Sequence, residues 1–172
     1  SDVIAEADVW GYLRLQPEGR QTLVGSISAV GAWDSRVPLQ LTLGGDTGLR
    51  GFPRHVDAGG RRVVASVEHR AYLGWPLRDL FDLGSVAFLD VGKIWAGDVP
   101  FGRDSPVRAT LGVGLRASFP PGSRQTLRAD IGIPIQSSLG SRGLVFSIGM
   151  GQAIGRRVRR ADPQLTRSAN YS

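Results

Sequence analysis

Over residues 107–119 the chain alternates with a period of two. Val107, Ala109, Leu111, Val113, Leu115, Ala117 and Phe119 fall on one side, and Arg108, Thr110, Gly112, Gly114, Arg116 and Ser118 on the other. Successive side chains of an extended strand point to opposite faces, so the segment reads as a strand with one apolar face and one polar or glycine-bearing face. Residues 125–135 repeat the pattern, with Leu127, Ala129, Ile131, Ile133 and Ile135 opposing Arg128, Asp130, Gly132 and Pro134. Residues 143–154 set Leu144, Phe146, Ile148 and Met150 against Val145, Ser147, Gly149 and Gly151. The same reading holds for 3–15, 21–33, 62–73 and 83–95, which brings the expectation to about seven strands. Each is near or slightly above the ~9–11 residues that cross a bilayer in a tilted strand. Helix is disfavoured, because many of the 24 glycines lie inside the patterned segments.

The connections alternate in length. Residues 16–20 (Gln-Pro-Glu-Gly-Arg) and 120–124 (Pro-Pro-Gly-Ser-Arg) are tight turns, whereas 34–60, 96–106 and 136–142 are longer and richer in glycine and polar groups. Segment 74–82 is mid-length, on the short-turn side. Short turns on one rim and long loops on the other are the habit of outer-membrane barrels.

Alternation alone does not separate a membrane barrel from a soluble antiparallel sheet, which also buries one face and wets the other. Two details favour the membrane. The apolar faces run almost uninterrupted over bilayer-spanning length, and the opposite faces carry the charges and glycines suited to a water-filled lumen. Trp33, Trp75, Trp95 and Phe119 fall at or near strand ends, where an aromatic girdle sits.

Composition narrows the remaining options. No run approaches the roughly 18 apolar residues of a transmembrane helix. With no cysteine and only His55 and His69 as histidines, the chain offers no thiolate or histidine metal cluster. The net charge of +6 raises nucleic acid or anionic lipid as a partner. Much of that excess, however, sits in Arg156, Arg157, Arg159 and Arg160, within a basic tail over 155–172 that is expected to be disordered. Lipid headgroups, acidic protein or solvent suit such a tail better than a nucleic-acid site.

Residues 44–48 (Gly-Gly-Asp-Thr-Gly) lack the Gly-Lys-Ser/Thr ending of a phosphate loop, and no amphipathic helix follows them. Asp8, Ser28 and His69 make a poor triad, because His69 falls on the apolar side of its strand. No catalytic residue, metal or cofactor is expected.

The most specific signal is Leu49-Arg50-Gly51-Phe52-Pro53 in the long loop, followed by Ser66-Val67-Glu68-His69-Arg70 and Phe88-Leu89-Asp90-Val91-Gly92 on strands. In this order, and with the terminal strand 143–152, the chain resembles the bacterial surface antigen superfamily of outer-membrane assembly and translocation factors, the BamA/TamA-like proteins. The resemblance runs from about Val3 to Ile154. It implies an all-β fold, an antiparallel transmembrane β-barrel, of which residues 1–154 form about seven C-terminal strands out of sixteen. Loop 34–60 is then expected to fold back into the lumen. Arg50 matches the arginine of the family's loop motif, Asp90 the acidic residue of its Phe-x-Asp-x-Gly strand, and Glu68 the acidic position on the strand after the loop.

Such a set has a physical logic of its own. A loop returning into a barrel loses conformational entropy, and a fork-shaped guanidinium held by two carboxylates fixes one conformation. By alternation Glu68 shares a face with Ser66 and Arg70, and Asp90 with Phe88, Gly92 and Ile94. Gly51 is expected to let the turn pass close to the wall, and Phe52 to fill a gap left by Gly92, Gly112 or Gly114.

Seven spans leave two unpaired edges, so further strands are expected upstream, with 3–15 and 21–33 as the tenth and eleventh by analogy. The final strand departs from the family pattern by running past Gln152 into the basic tail rather than stopping at an aromatic residue. Three functions fit the resemblance. The first is insertion or assembly of outer-membrane proteins by strand exchange at a seam. The seam strand carries Gly143, Phe146, Gly149 and Gly151, whose glycines weaken pairing. The second is a two-partner secretion pore, and the third a passive barrel anchor for an upstream patatin-like enzyme domain. The implied setting is the bacterial outer membrane. The implied partners are outer-membrane lipid, unfolded outer-membrane or secreted polypeptide, and periplasmic accessory proteins.

Overall fold

A computed structural model describes residues 3–17, 19–34, 40–44, 49–52, 57–72, 80, 82–119, 125–135 and 144–152. The alternating segments all form strands. They are β1 (Val3–Arg14), β2 (Gln21–Trp33), β5 (Arg61–Tyr72), β6 (Asp82–Trp95), β7 (Arg108–Ser118), β8 (Gln125–Pro134) and β9 (Val145–Gln152). They assemble into one seven-stranded antiparallel sheet in the order β1-β2-β5-β6-β7-β8-β9. Every long strand pairs with the next long strand in the chain, the meander expected of an up-and-down barrel wall. No helix occurs among the described residues.

Two short strands were not expected. β3 (Leu41–Thr42) and β4 (Ala58–Gly59) pair within the long loop, Leu41 opposite Gly59 and Thr42 opposite Ala58. Two residues are too few to show a period, so alternation could not reveal them. The tail 155–172, Gly143, Trp75 and His55 lie outside the described residues.

The register aligns the two chemistries of every strand across the sheet. Glu68 stands opposite Phe88, Ser66 opposite Asp90, Asp90 opposite Thr110, and Gly114 opposite Asp130. Directly paired residues share a face, so Arg62, Val64, Ser66, Glu68, Phe88, Asp90, Arg116 and Asp130 all lie on one side. The other side carries Val67, Leu89, Leu111, Val113, Leu115, Ile131, Ile133, Phe146, Ile148 and Met150, exposed and apolar from β5 to β9. A soluble sheet would bury such a face. Here the sheet buries its polar face instead, under the returning loop.

The apolar core is therefore small and lies between loop and wall. Leu41, Leu43, Leu49 and Phe52 from the loop meet Val30, Ala32, Val64 and Ile94 from the strands, with Val99 from the β6–β7 connection. That connection is fastened by Ser105, whose Oγ accepts from the Ile94 amide at 3.0 Å, and by Asp104, which accepts from the Ala96 amide at 2.7 Å.

Candidate functional site: an arginine of the loop against a carboxylate wall

The loop reaches the wall through leucines before its charge arrives. The Leu49 amide donates to the Leu43 carbonyl at 2.6 Å, which brings the two leucines together. Both are fully buried against Gly92. A β-carbon at Gly92 would stand 3.0 Å from Leu43 Cδ1 and 3.3 Å from Leu49 Cδ2, so the glycine is the seat for this pair. Two residues further along β6 in the N-terminal direction, on the same face, is Asp90.

Arg50 follows directly. Its Nε donates to Asp90 Oδ2 and its Nη2 to Asp90 Oδ1, both at 2.7 Å, a bidentate fork. Nη1 donates to Glu68 Oε1 at 2.5 Å, and Nη2 also donates to Ser66 Oγ at 3.0 Å. Ser66 in turn donates to Asp90 Oδ1 at 2.6 Å, so hydroxyl and guanidinium share one carboxylate oxygen. The guanidinium lies over the Phe88 ring, 3.7 Å from its centroid. Burial opposes the charge on Arg50, but the hydrogen bond and charge of Asp90, reinforced by Glu68 and Asp130, hold its pKa above the ordinary arginine range.

Around this contact the charges alternate. Arg70 pairs with Glu68 at 2.6 Å, Arg116 is hydrogen-bonded to Asp130, and Asp130 Oδ2 lies 3.7 Å from Arg50 Nη1. Asp90 and Asp130 are only 2% and 3% exposed, and a buried carboxylate is tolerated when it is paired and hydrogen-bonded.

The structure thus brings Arg50, Glu68, Asp90 and Gly92 together, and places Gly51 and Phe52 differently from one another. Gly51 has φ +89°, in the left-handed region that favours glycine. Its added β-carbon would fall 2.8 Å from Thr110 Cγ2 and 3.5 Å from the Gly132 carbonyl carbon, so the turn does pass hard against β7 and β8.

Phe52 does not fill any of the three glycine gaps. Gly92 receives Leu43 and Leu49, Gly112 receives the Phe88 ring, and Gly114 receives the Asp130 carboxylate. Phe52 instead joins the apolar cluster at the loop base, with the Arg108 guanidinium 5.6 Å from its ring centroid. The physical reason is competition: the wall's own side chains and the loop leucines occupy the gaps first. Arg108 also donates to Asp57, which stands at φ +50° on the returning limb of the loop, so the loop has a second ionic contact of opposite polarity.

Of the seam residues, Phe146 is exposed on the apolar face and Gly149 lies under the Arg128 side chain, whose Nε would be 3.2 Å from an added β-carbon. Gly151 pairs with Thr126, and β9 is an edge of the sheet. Gly143 lies outside the described residues. His69 stands opposite Leu23 and Ala87 on the apolar face, away from Asp8 and Ser28. No group of three or more metal-ligating side chains occurs among the described residues.

Sequence reasoning missed Ser66 and Phe88 as direct Arg50 partners, and Arg116 and Asp130 as the adjoining pair. Ser66 and Phe88 share a face with Glu68 and Asp90 by simple alternation, so a signal was present. Arg116 and Asp130 required the register between strands.

No curated protein and no solved structure matches the chain. The family model for the Omp85 superfamily domain matches residues 13–154, which takes in the end of β1, all of β2 and the loop, and every later strand through β9. With the all-β meander and its open apolar face, that match identifies the chain as a member of the Omp85 superfamily, bacterial outer-membrane proteins that include assembly and translocation factors.

Proposed function

We propose that the chain is part of an outer-membrane barrel that assists the insertion of outer-membrane proteins or the passage of polypeptide, with loop 34–60 folded into the lumen and locked there by Arg50. The observation that carries this reading is the bidentate Arg50–Asp90 contact, supported by Glu68 and Ser66 and seated on Phe88. A guanidinium satisfied from several directions selects one loop conformation, where a single surface ion pair would select little. The lock does mechanical work: it fixes the lumen wall and stiffens β5–β8, leaving the edge strand β9 as the element able to exchange partners. Phe146, Gly149 and Gly151, with Gly143 before them, form that seam. Client polypeptide, outer-membrane lipid and periplasmic accessory proteins are the partners this role requires.

The test uses the complete protein. Arg50→Ala is expected to lower both the heat-modifiable mobility that marks a folded barrel and the insertion of a client barrel protein into liposomes. Arg50→Glu is expected to be worse, with partial recovery when combined with Asp90→Arg. Unchanged folding and insertion in Arg50→Ala would overturn the lock. A normal barrel that secretes a polypeptide but inserts no client would assign translocation instead of assembly.

A further inference from the structure

The apolar face of the sheet carries charge at only two of its described strand positions. Following the register, the outward residues are Val3 to Leu13 by twos on β1, Gln21 to Trp33 on β2, Arg61 to Ala71 on β5, Leu83 to Trp95 on β6, Ala109 to Ala117 on β7, Leu127 to Ile133 on β8 and Phe146 to Met150 on β9. Within that set Arg61 and Lys93 are the ionised side chains; every other Asp, Glu, Lys and Arg of the described strands is on the opposite face. Both are cations, and they are neighbours. Arg61 stands opposite Trp95 and Lys93 opposite Val63, so they are diagonal across one strand pair, roughly 7–8 Å apart by sheet geometry.

Each lies by an indole. The Arg61 guanidinium is 5.4 Å from the Trp33 ring centroid and the Lys93 ammonium 5.2 Å from that of Trp95. Asp98, from the β6–β7 connection, reaches Arg61 at 3.4 Å, while among the described residues no carboxylate pairs with Lys93. All four residues sit at the rim that bears the long loops. At the other rim the same face presents Gln21, Ala71 and Ser85, none of them charged.

A cation on the lipid-facing side is costly at the bilayer midplane and nearly free at the interface, and tryptophan prefers that same interface. A pair of cations braced on indoles therefore belongs at headgroup level, where the field they meet is set by lipid charge. We infer that Trp33, Arg61, Lys93 and Trp95 form a binding site for the anionic, phosphate-bearing headgroup of a lipid in the leaflet on the long-loop side. Lys93 and Arg61 flank the phosphate, the indoles pack on the glycerol or sugar beside it, and Asp98 holds Arg61 in place. This rests on the barrel reading given above.

The experiment is native mass spectrometry of the full-length protein in detergent micelles, with phosphatidylglycerol, phosphatidylcholine of the same chains, or inorganic phosphate as probes. The natural chain is expected to retain phosphatidylglycerol in preference to phosphatidylcholine. Lys93→Gln is expected to lower that retention about fivefold, the effect of one interfacial cation, and Lys93→Arg to preserve it. Equal retention in Lys93→Gln and the natural chain, loss in Lys93→Arg, or competition by inorganic phosphate at matched concentration would each overturn the site. Heat-modifiable mobility is read on the same samples. A natural chain that shows no folded-barrel band overturns the barrel reading and the site with it. A normal band with no lipid preference overturns the site alone.

Discussion

β1 and β6 are built from the same alternating pattern, yet their environments differ at nearly every residue. All twelve residues of β1 are exposed, whereas β6 alternates with nearly every even position buried, from Gly84 through Asp90 to Ile94. The loop makes the difference. Over β5–β8 it covers the polar face, where Glu68, Asp90, Arg70, Arg116 and Asp130 stand in ion pairs. Over β1 the inward-facing Glu6, Asp8 and Arg14 have no such cover. Alternation therefore determines which way a side chain points. The returning loop determines whether that direction is wet, and so whether a charge there is structural.

The sharpest way to break the comparison is to remove one carboxylate from each region. Asp90→Ala leaves the Arg50 guanidinium without its bidentate partner in a nearly closed site, and breaking a buried pair from one side costs about 3–5 kcal/mol. Asp8→Ala, on the open strand, is expected to stay within about 0.5 kcal/mol. Urea unfolding of the complete protein in micelles measures both. Similar losses at the two sites would mean that cover by the loop is not what gives the charges their weight.

A second pair of substitutions tests the side on which the two regions should agree. Leu111 on β7 and Ile27 on β2 both lie near mid-strand on the open apolar face, 57% and 52% exposed. If that face meets lipid along the whole sheet, Leu111→Arg and Ile27→Arg each cost about 2–4 kcal/mol near the bilayer midplane, with no dependence on the loop. A face wetted by water would instead tolerate both exposed substitutions with little change. The same urea titration, or the yield of folded barrel in lipid vesicles, separates the outcomes.

How far the sequence carried these conclusions follows from the range of each interaction. The long strands were legible to within one or two residues at their ends, because alternation over eight or more positions is a local signal. Arg50, Glu68 and Asp90 were legible as a set only through the resemblance of their motifs. Nothing local to Arg50 says that its partners lie 18 and 40 residues away. Ser66 and Phe88 were readable from face counting once Glu68 and Asp90 were chosen. The β3–β4 ribbon, the Arg108–Asp57 contact and the true seat of Phe52 were not legible, since each depends on where the loop's limbs come to rest. Alternation places glycines on the polar face; which side chain takes which gap is decided by packing among Leu43, Leu49, Phe88 and Asp130.

Those gaps give the smallest and most local test of the contrast. At Gly112, on the covered wall, an added β-carbon runs into the Phe88 ring and the Ile131 carbonyl oxygen, and the ring cannot move without disturbing the surface on which Arg50 lies. Gly112→Val is expected to cost about 1–3 kcal/mol through overpacking. It should also raise protease cleavage of the loop, because displacing Phe88 loosens the seat of the guanidinium. At Gly11 and Gly25, paired with each other across β1 and β2, an added β-carbon meets nothing within 4 Å. Replacing either by alanine restricts the unfolded chain without a clash, so each is expected to gain up to about 0.5–1 kcal/mol. Opposite signs would separate a glycine of the covered inner face from glycines of the outward apolar face at the level of single residues. A loss at Gly25 equal to that at Gly112 would mean that the outward face at Gly25 packs against something as tightly as Gly112 packs against Phe88.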